Sequence, residues 1–142
     1  MGLDSRLDEV FEASSPLAEK LAAEGPFASD EEVLKRARAI VHRLNEAEQI
    51  GTLNAHPRIG EPAERLSARS LAEQGAESMP ELQRLNDEYE RKFGFRFVVF
   101  VNRRPKAELV EELRQRLQNN REQELRNALD AIIDIAADRL RS

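Results

Sequence analysis

An all-α fold, a single domain of about seven to nine helices with one short extended connector over residues 95–101, is predicted by three features of the 142-residue sequence. Apolar residues recur three and four positions apart in segment after segment. Those segments are punctuated by Ser, Pro, Gly and Asn where helices start and stop. Charged residues make up 35% of the chain and aromatics only 5%, the balance of a helical protein with solvated outer faces.

Leu3, Leu7, Val10 and Phe11 share one face of a first short helix reaching Ala13. Ser15-Pro16 restarts the chain, since proline is favoured at the first helical position, and Gly25 closes the segment Pro16–Glu24. Ser29-Asp30-Glu31-Glu32 opens a third helix with acids that complement its dipole. Its stripe of Val33, Leu34, Ala37, Ile40, Val41 and Leu44 predicts one helix that frays only around Gln49–Gly51, with His42 beside the stripe as a partly packed structural residue. Ser70 predicts a helix to about residue 77.

Pro80 starts the next helix, with Leu82, Leu85, Tyr89 and Phe93 inward and Gly94 at its end. Phe95 to Val101 is the one run rich in β-branched and aromatic residues. A lone strand has nothing to pair with, so the run is read as a buried connector whose backbone groups need side-chain, water or ligand partners. Pro105 begins a helix carrying Leu109, Val110, Leu113 and Leu117, broken at Asn119-Asn120, and the last helix runs from Arg121 to the end. Arg139 projects from the middle of that helix's apolar face.

Composition excludes several functions. A net charge of −5 argues against a nucleic-acid surface, and Arg103, Arg104 and Lys106 are too few to reverse it. Without cysteine there is no disulfide framework, thiolate metal site or cysteine nucleophile. The two histidines do not form a His-Glu-x-x-His helix, so no metal site is expected. No run of about 18 apolar residues offers a membrane span, and a basic-then-apolar signal layout is absent, so the expected location is cytoplasmic.

Chemistry is to be sought between His56 and Gln74. Pro57 disfavours the helical region for His56, which places the imidazole in a loop as a candidate acid or base or as an ordinary packing group. Ser70-x-x-Glu73 fits a capping box, in which the serine takes a backbone N–H and the glutamate reaches back. It equally fits a helix start that offers N–H donors to an anion and a carboxylate to His56. For Arg139, a fraying final turn, a structural carboxylate partner and an anion or carbonyl clamp all stand.

Taken in order, His56-Pro57, Ser70-x-x-Glu73-Gln74, Asn86-x-x-Tyr89-x-x-Lys92-Phe93-Gly94-Phe95-x-Phe97-Val98, the Arg116-Leu117 and Glu122/Glu124 helix junction and Arg139-Leu140 form a specific series. Over nearly the whole chain it resembles the 2-oxo-4-hydroxy-4-carboxy-5-ureidoimidazoline (OHCU) decarboxylase family of uric acid degradation. The resemblance implies an all-α homodimer that acts on a small ureidoimidazoline without metal or organic cofactor. By position, His56 and Glu73 correspond to the catalytic pair. Pro57, the loop residues Ser70, Leu71, Ala72 and Gln74, the backbone of Val99, Phe100, Val101, Asn102 and Arg103, and Arg139 correspond to substrate contacts. Arg96 stands where the family often has proline, a departure read as a change of the pocket rim.

In the implied substrate, the carbon that loses CO₂ bears a hydroxyl and adjoins a ring C=N able to accept the released electrons. The product is (S)-allantoin, and His56, oriented by Glu73, handles the hydroxyl proton or delivers the new one. Two rivals stand beside this reading: a non-catalytic helical interaction module, and a lyase for a related ureido acid. Convergence of His56, Glu73 and Arg139 on one concave site favours the enzyme.

Overall fold

Residues 3–12, 15–59 and 80–141 are described by a computed structural model of the chain. Among them are seven α-helices and no strand: α1 (Leu3–Phe11), α2 (Pro16–Glu24), α3 (Asp30–Val41), α4 (Glu46–Asn54), α5 (Pro80–Phe93), α6 (Lys106–Arg116) and α7 (Arg121–Arg141). The helix expected from Ser70 lies outside the described residues.

Local chemistry explains the boundaries. Ser15 Oγ accepts the Ala18 N–H at 3.1 Å with Pro16 in the first turn of α2, and Ser29 Oγ accepts the Glu32 N–H at 3.2 Å to open α3. The single helix expected through Gln49 is instead two. α3 stops at Val41, and Asn45 starts α4 with a reciprocal capping box: its Oδ1 accepts the Glu48 N–H at 2.8 Å while Glu48 Oε1 accepts the Asn45 N–H at 3.2 Å. Satisfying two orphan donors at once makes a new start more favourable there than continuation. His42 consequently lies at the end of α3, half exposed, with Nε2 2.8 Å from Asp130 Oδ1 of α7.

α7 is the longest element and the backbone of the packing. It lies against α1, α3 and α4 and buries Ala128, Leu129, Ile132, Ile133 and Ala136; α2 packs on α1, α3 and α4, and α5 pairs with α6. Each fully buried Leu or Ile on these faces contributes about 1.5–3 kcal/mol relative to exposure. Thr52 joins two of the layers, its Oγ1 accepting the Leu17 N–H at 3.2 Å and donating to Glu48 O at 2.9 Å.

Gly94, at φ +83°, ends α5 in the left-handed region that glycine adopts without strain and turns the chain into the extended connector. Phe95 and Phe97 pack their rings around Tyr89, with centroids 5.9 and 5.2 Å away. The connector's carbonyls are answered by two arginines. Arg116 Nη1 donates to Val98 O at 3.0 Å, and Arg104 donates to Phe100 O at 2.6 Å and Val101 O at 3.2 Å.

Arg116 is itself part of a buried polar cluster centred on Glu124, which is fully buried. One Glu124 oxygen accepts from Tyr89 Oη and Arg116 Nε, both at 2.7 Å; the other accepts from Asn119 at 2.8 Å and Asn127 at 3.1 Å. Burial works against the Glu124 charge, but the Asn119 and Tyr89 hydrogen bonds and the Arg116 guanidinium hold its carboxyl below the usual range. Burial and then the hydrogen bond to Glu124 push the Tyr89 phenol above its ordinary value. Removing one partner of such a pair strands the other charge. Glu124→Ala is therefore expected to lose about 3–5 kcal/mol in urea unfolding, against about 1 kcal/mol for Tyr89→Phe; equal losses would contradict this ranking.

Candidate functional site

α4 ends at Asn54, and His56 follows in the closing turn, its N–H donating to Leu53 O at 3.1 Å. The side chain folds inward and is only 3% exposed. Nδ1 lies 3.2 Å from Thr52 O, and Nε2 has no hydrogen-bond partner among the described residues. A carbonyl only accepts, so Nδ1 carries the hydrogen of the neutral ring and Nε2 presents a lone pair.

Burial, and secondly the positive field of Arg139, lower the His56 pKa from 6.5 to about 4, although the Thr52 hydrogen bond pulls the other way. The ring is neutral at physiological pH. Its unpartnered nitrogen begins as a proton acceptor.

Arg139 is 2% exposed on the inner face of α7. Nη1 donates to Glu9 O at 3.1 Å and Val10 O at 3.3 Å, carbonyls of the last turn of α1, and Nη2 pairs with Glu12 Oε1 at 3.1 Å. Glu12, at φ 68°, is held in the left-handed region immediately after α1. A structural carboxylate is thus one of the partners Arg139 finds, and it also closes the end of a helix. The charge held there also acts electrostatically on His56.

The other sequence-predicted residues are distributed as follows. Pro57 is half-buried beside His56. Ser70, Leu71, Ala72, Glu73 and Gln74 lie outside the described residues. Val99, Phe100 and Asn102 line a pocket of about 520 Å³ whose other walls come from Arg104, α6 and α7, including Arg116 and Asp130; His56 and Arg139 do not line it. Val101 is half-buried, and Arg103 is exposed in a turn where Asn102 and Arg103 take φ 48° and 60°.

Sequence reasoning did not single out Thr52, Asn54 or Glu12, and it placed Arg96 at the pocket rim. Arg96 Nη1 donates to the His56 carbonyl at 3.0 Å. Thr52 stands four residues before His56, a spacing that signals helical adjacency. Glu12 carries no local signal, because only tertiary packing brings it to Arg139.

A sequence model described as OHCU decarboxylase matches residues 3–141. The chain belongs to the OHCU decarboxylase family. It is 32% identical over 140 residues to 2-oxo-4-hydroxy-4-carboxy-5-ureidoimidazoline decarboxylase of Haloferax volcanii, covering 93% of this chain and 83% of that one. It is 33% identical over 142 residues to the uric acid degradation bifunctional protein of Bacillus sp. (strain TB-90), covering 94% of this chain but 28% of the relative, so it spans less than a third of that protein. The crystal structure of OHCU decarboxylase in the presence of (S)-allantoin superposes with a TM-score of 0.76 at 25% identity, covering 95% and 94% of the two chains. The likeness extends along nearly the whole of both chains.

The lowered His56 pKa has a stability consequence of definite sign. Between pH 6.5 and about 4 the unfolded chain binds a proton at this histidine that the folded chain does not, so the contribution is full above pH 6.5 and is lost as pH falls. His56→Asn is expected to flatten the loss of stability over that window by about 3 kcal/mol. Denaturant midpoints for the two proteins across the window measure it, and parallel curves would contradict it.

Proposed function

We propose that the protein decarboxylates 2-oxo-4-hydroxy-4-carboxy-5-ureidoimidazoline to (S)-allantoin in uric acid degradation. The observation that carries this reading is a buried, neutral imidazole whose Nε2, without a partner among the described residues, is an acceptor set in the positive field of Arg139. The pairing suits a substrate that combines a hydroxyl, which gives up a proton, with a carboxylate, which a cation attracts.

The residues divide the work as follows. His56 Nε2 accepts the hydroxyl proton as the C–CO₂ bond breaks; the electron pair moves into the ring and onto the C=N nitrogen, which takes a proton from the medium. The hydroxyl oxygen becomes the carbonyl of allantoin. Burial and Arg139 make the resulting imidazolium a strong acid, so it returns its proton to the ureido-bearing carbon from one side. That one-sided delivery accounts for a single enantiomer. Positioned acid–base groups of this kind contribute about 10²–10⁴-fold.

By the family resemblance Glu73 is the second catalytic group, while Pro57, Ser70, Leu71, Ala72, Gln74 and the Val99–Arg103 backbone hold the ring and ureido group. Arg139 draws in the carboxylate from its place at the end of α1. The protein works as a single-domain homodimer in the cytoplasm.

Substrate generated freshly by urate oxidation and hydrolysis tests the assignment, with allantoin followed by circular dichroism. The wild type is expected to give one enantiomer promptly, and His56→Asn to lose about 10²–10⁴-fold in rate. Slow, optically inactive product from both proteins would reject the reaction. Because the neutral ring is the active form, kcat/KM should hold level through neutrality and fall only as pH drops toward about 4. An acid limb centred near 6.5 would remove His56 from the role of a buried base.

A further inference from the structure

Arg96 belongs to the extended connector, yet its polar groups reach back to the turn that carries His56. Its N–H donates to Asn54 Oδ1 at 3.0 Å, and Nη1 donates to Asn54 O at 2.7 Å and to His56 O at 3.0 Å. Asn54 is the last residue of α4. The guanidinium therefore satisfies a carbonyl orphaned at the helix end and stands at the negative end of its dipole.

Glu90 of α5 steadies Arg96 from the other side. Its Oε1 is 3.8 Å from Arg96 Nε, while Oε2 pairs with Arg58 Nη2 at 2.6 Å. Arg58 also reaches Asp87 at 3.2 Å, and Asn86 Nδ2 donates to Ile59 O at 2.6 Å. α5 thus grips the far end of the His56–Ile59 segment, and Arg96 grips its beginning. Every polar atom of His56 except Nε2 is engaged: the N–H by Leu53 O, Nδ1 by Thr52 O and the carbonyl by Arg96.

We infer that Arg96 is a positioning residue that fixes the His56 main chain and thereby the direction in which Nε2 points. This rests on His56 acting as the base, and it deepens that reading with a residue that touches neither the imidazole nor the reacting atoms. Lysine at this position keeps the charge and three donors but lacks the planar fork that meets Glu90 while serving two carbonyls.

The test compares wild type, Arg96→Met and Arg96→Lys by kinetics and by hydrogen exchange of the His56 amide. Arg96→Met is expected to lower kcat by about ten- to hundred-fold, the scale of a small misplacement of a catalytic group. KM should stay near the wild-type value. The His56 amide should exchange faster while core amides such as Ile132 are unchanged, and Arg96→Lys should recover part of both losses. Unchanged kcat with unchanged His56 exchange overturns the inference, as does a uniform rise in exchange across the core. Exchange needs no substrate, so a wild type inactive on the ureidoimidazoline would reject the proposed reaction while the His56 amide alone still decided the clamp. Should Arg96→Met fail to fold, Arg96→Lys carries the same comparison, with wild-type kcat and exchange as the contradicting result.

Discussion

The hydrogen bond from His56 Nδ1 to the Thr52 carbonyl, 3.2 Å long, determines what the centre of the molecule can do chemically. It selects the tautomer, and with it the one nitrogen left to accept a proton. Thr52 is in turn fixed to α2 through the Leu17 N–H and to its own helix through Glu48 O. The imidazole therefore inherits its direction from the packing of α2 on α4. Burial then keeps the ring uncharged and the Arg139 field reinforces this. Three constraints that all come from the fold thus hold this histidine neutral with its hydrogen on Nδ1.

Three arginines solve the main structural difficulties of the described residues. The extended connector has no neighbouring strand among the described residues, and Arg116 and Arg104 supply donors to its carbonyls. Arg139 supplies donors to the carbonyls at the end of α1. Each buried guanidinium needs a carboxylate to be tolerated, and Glu124 and Glu12 are those partners. In Arg139 the structural task and the proposed catalytic one coincide, because the cation that closes α1 also exerts its field on His56.

Much of this was legible in the residues. The helices over Pro16–Glu24, Pro80–Phe93 and Lys106–Arg116 are marked by proline or serine starts and glycine or polar stops that agree with the apolar spacing. The break at His42–Asn45 was not, because Ile40, Val41 and Leu44 continue a helical stripe through it and the Asn45–Glu48 capping box resembles any polar surface pair. His56 was marked by Pro57. Its anchors were not: Thr52 acts through a main-chain carbonyl, which any residue would offer. Glu12 reaches Arg139 only after α1 and α7 have packed, and Arg96 reads in sequence as one polar position in an aromatic run. Local chemistry shows in local patterns, whereas pairings across the core do not.

The central claim is that His56 rests as a neutral ring with its hydrogen on Nδ1. A pH titration of its imidazole nitrogens by ¹⁵N nuclear magnetic resonance in the free wild-type protein tests this directly. The expected result is a proton-bearing Nδ1 and a bare Nε2 at neutral pH, with no second proton until pH approaches about 4. A ring that titrates near 6.5, or one that carries its hydrogen on Nε2, would contradict it.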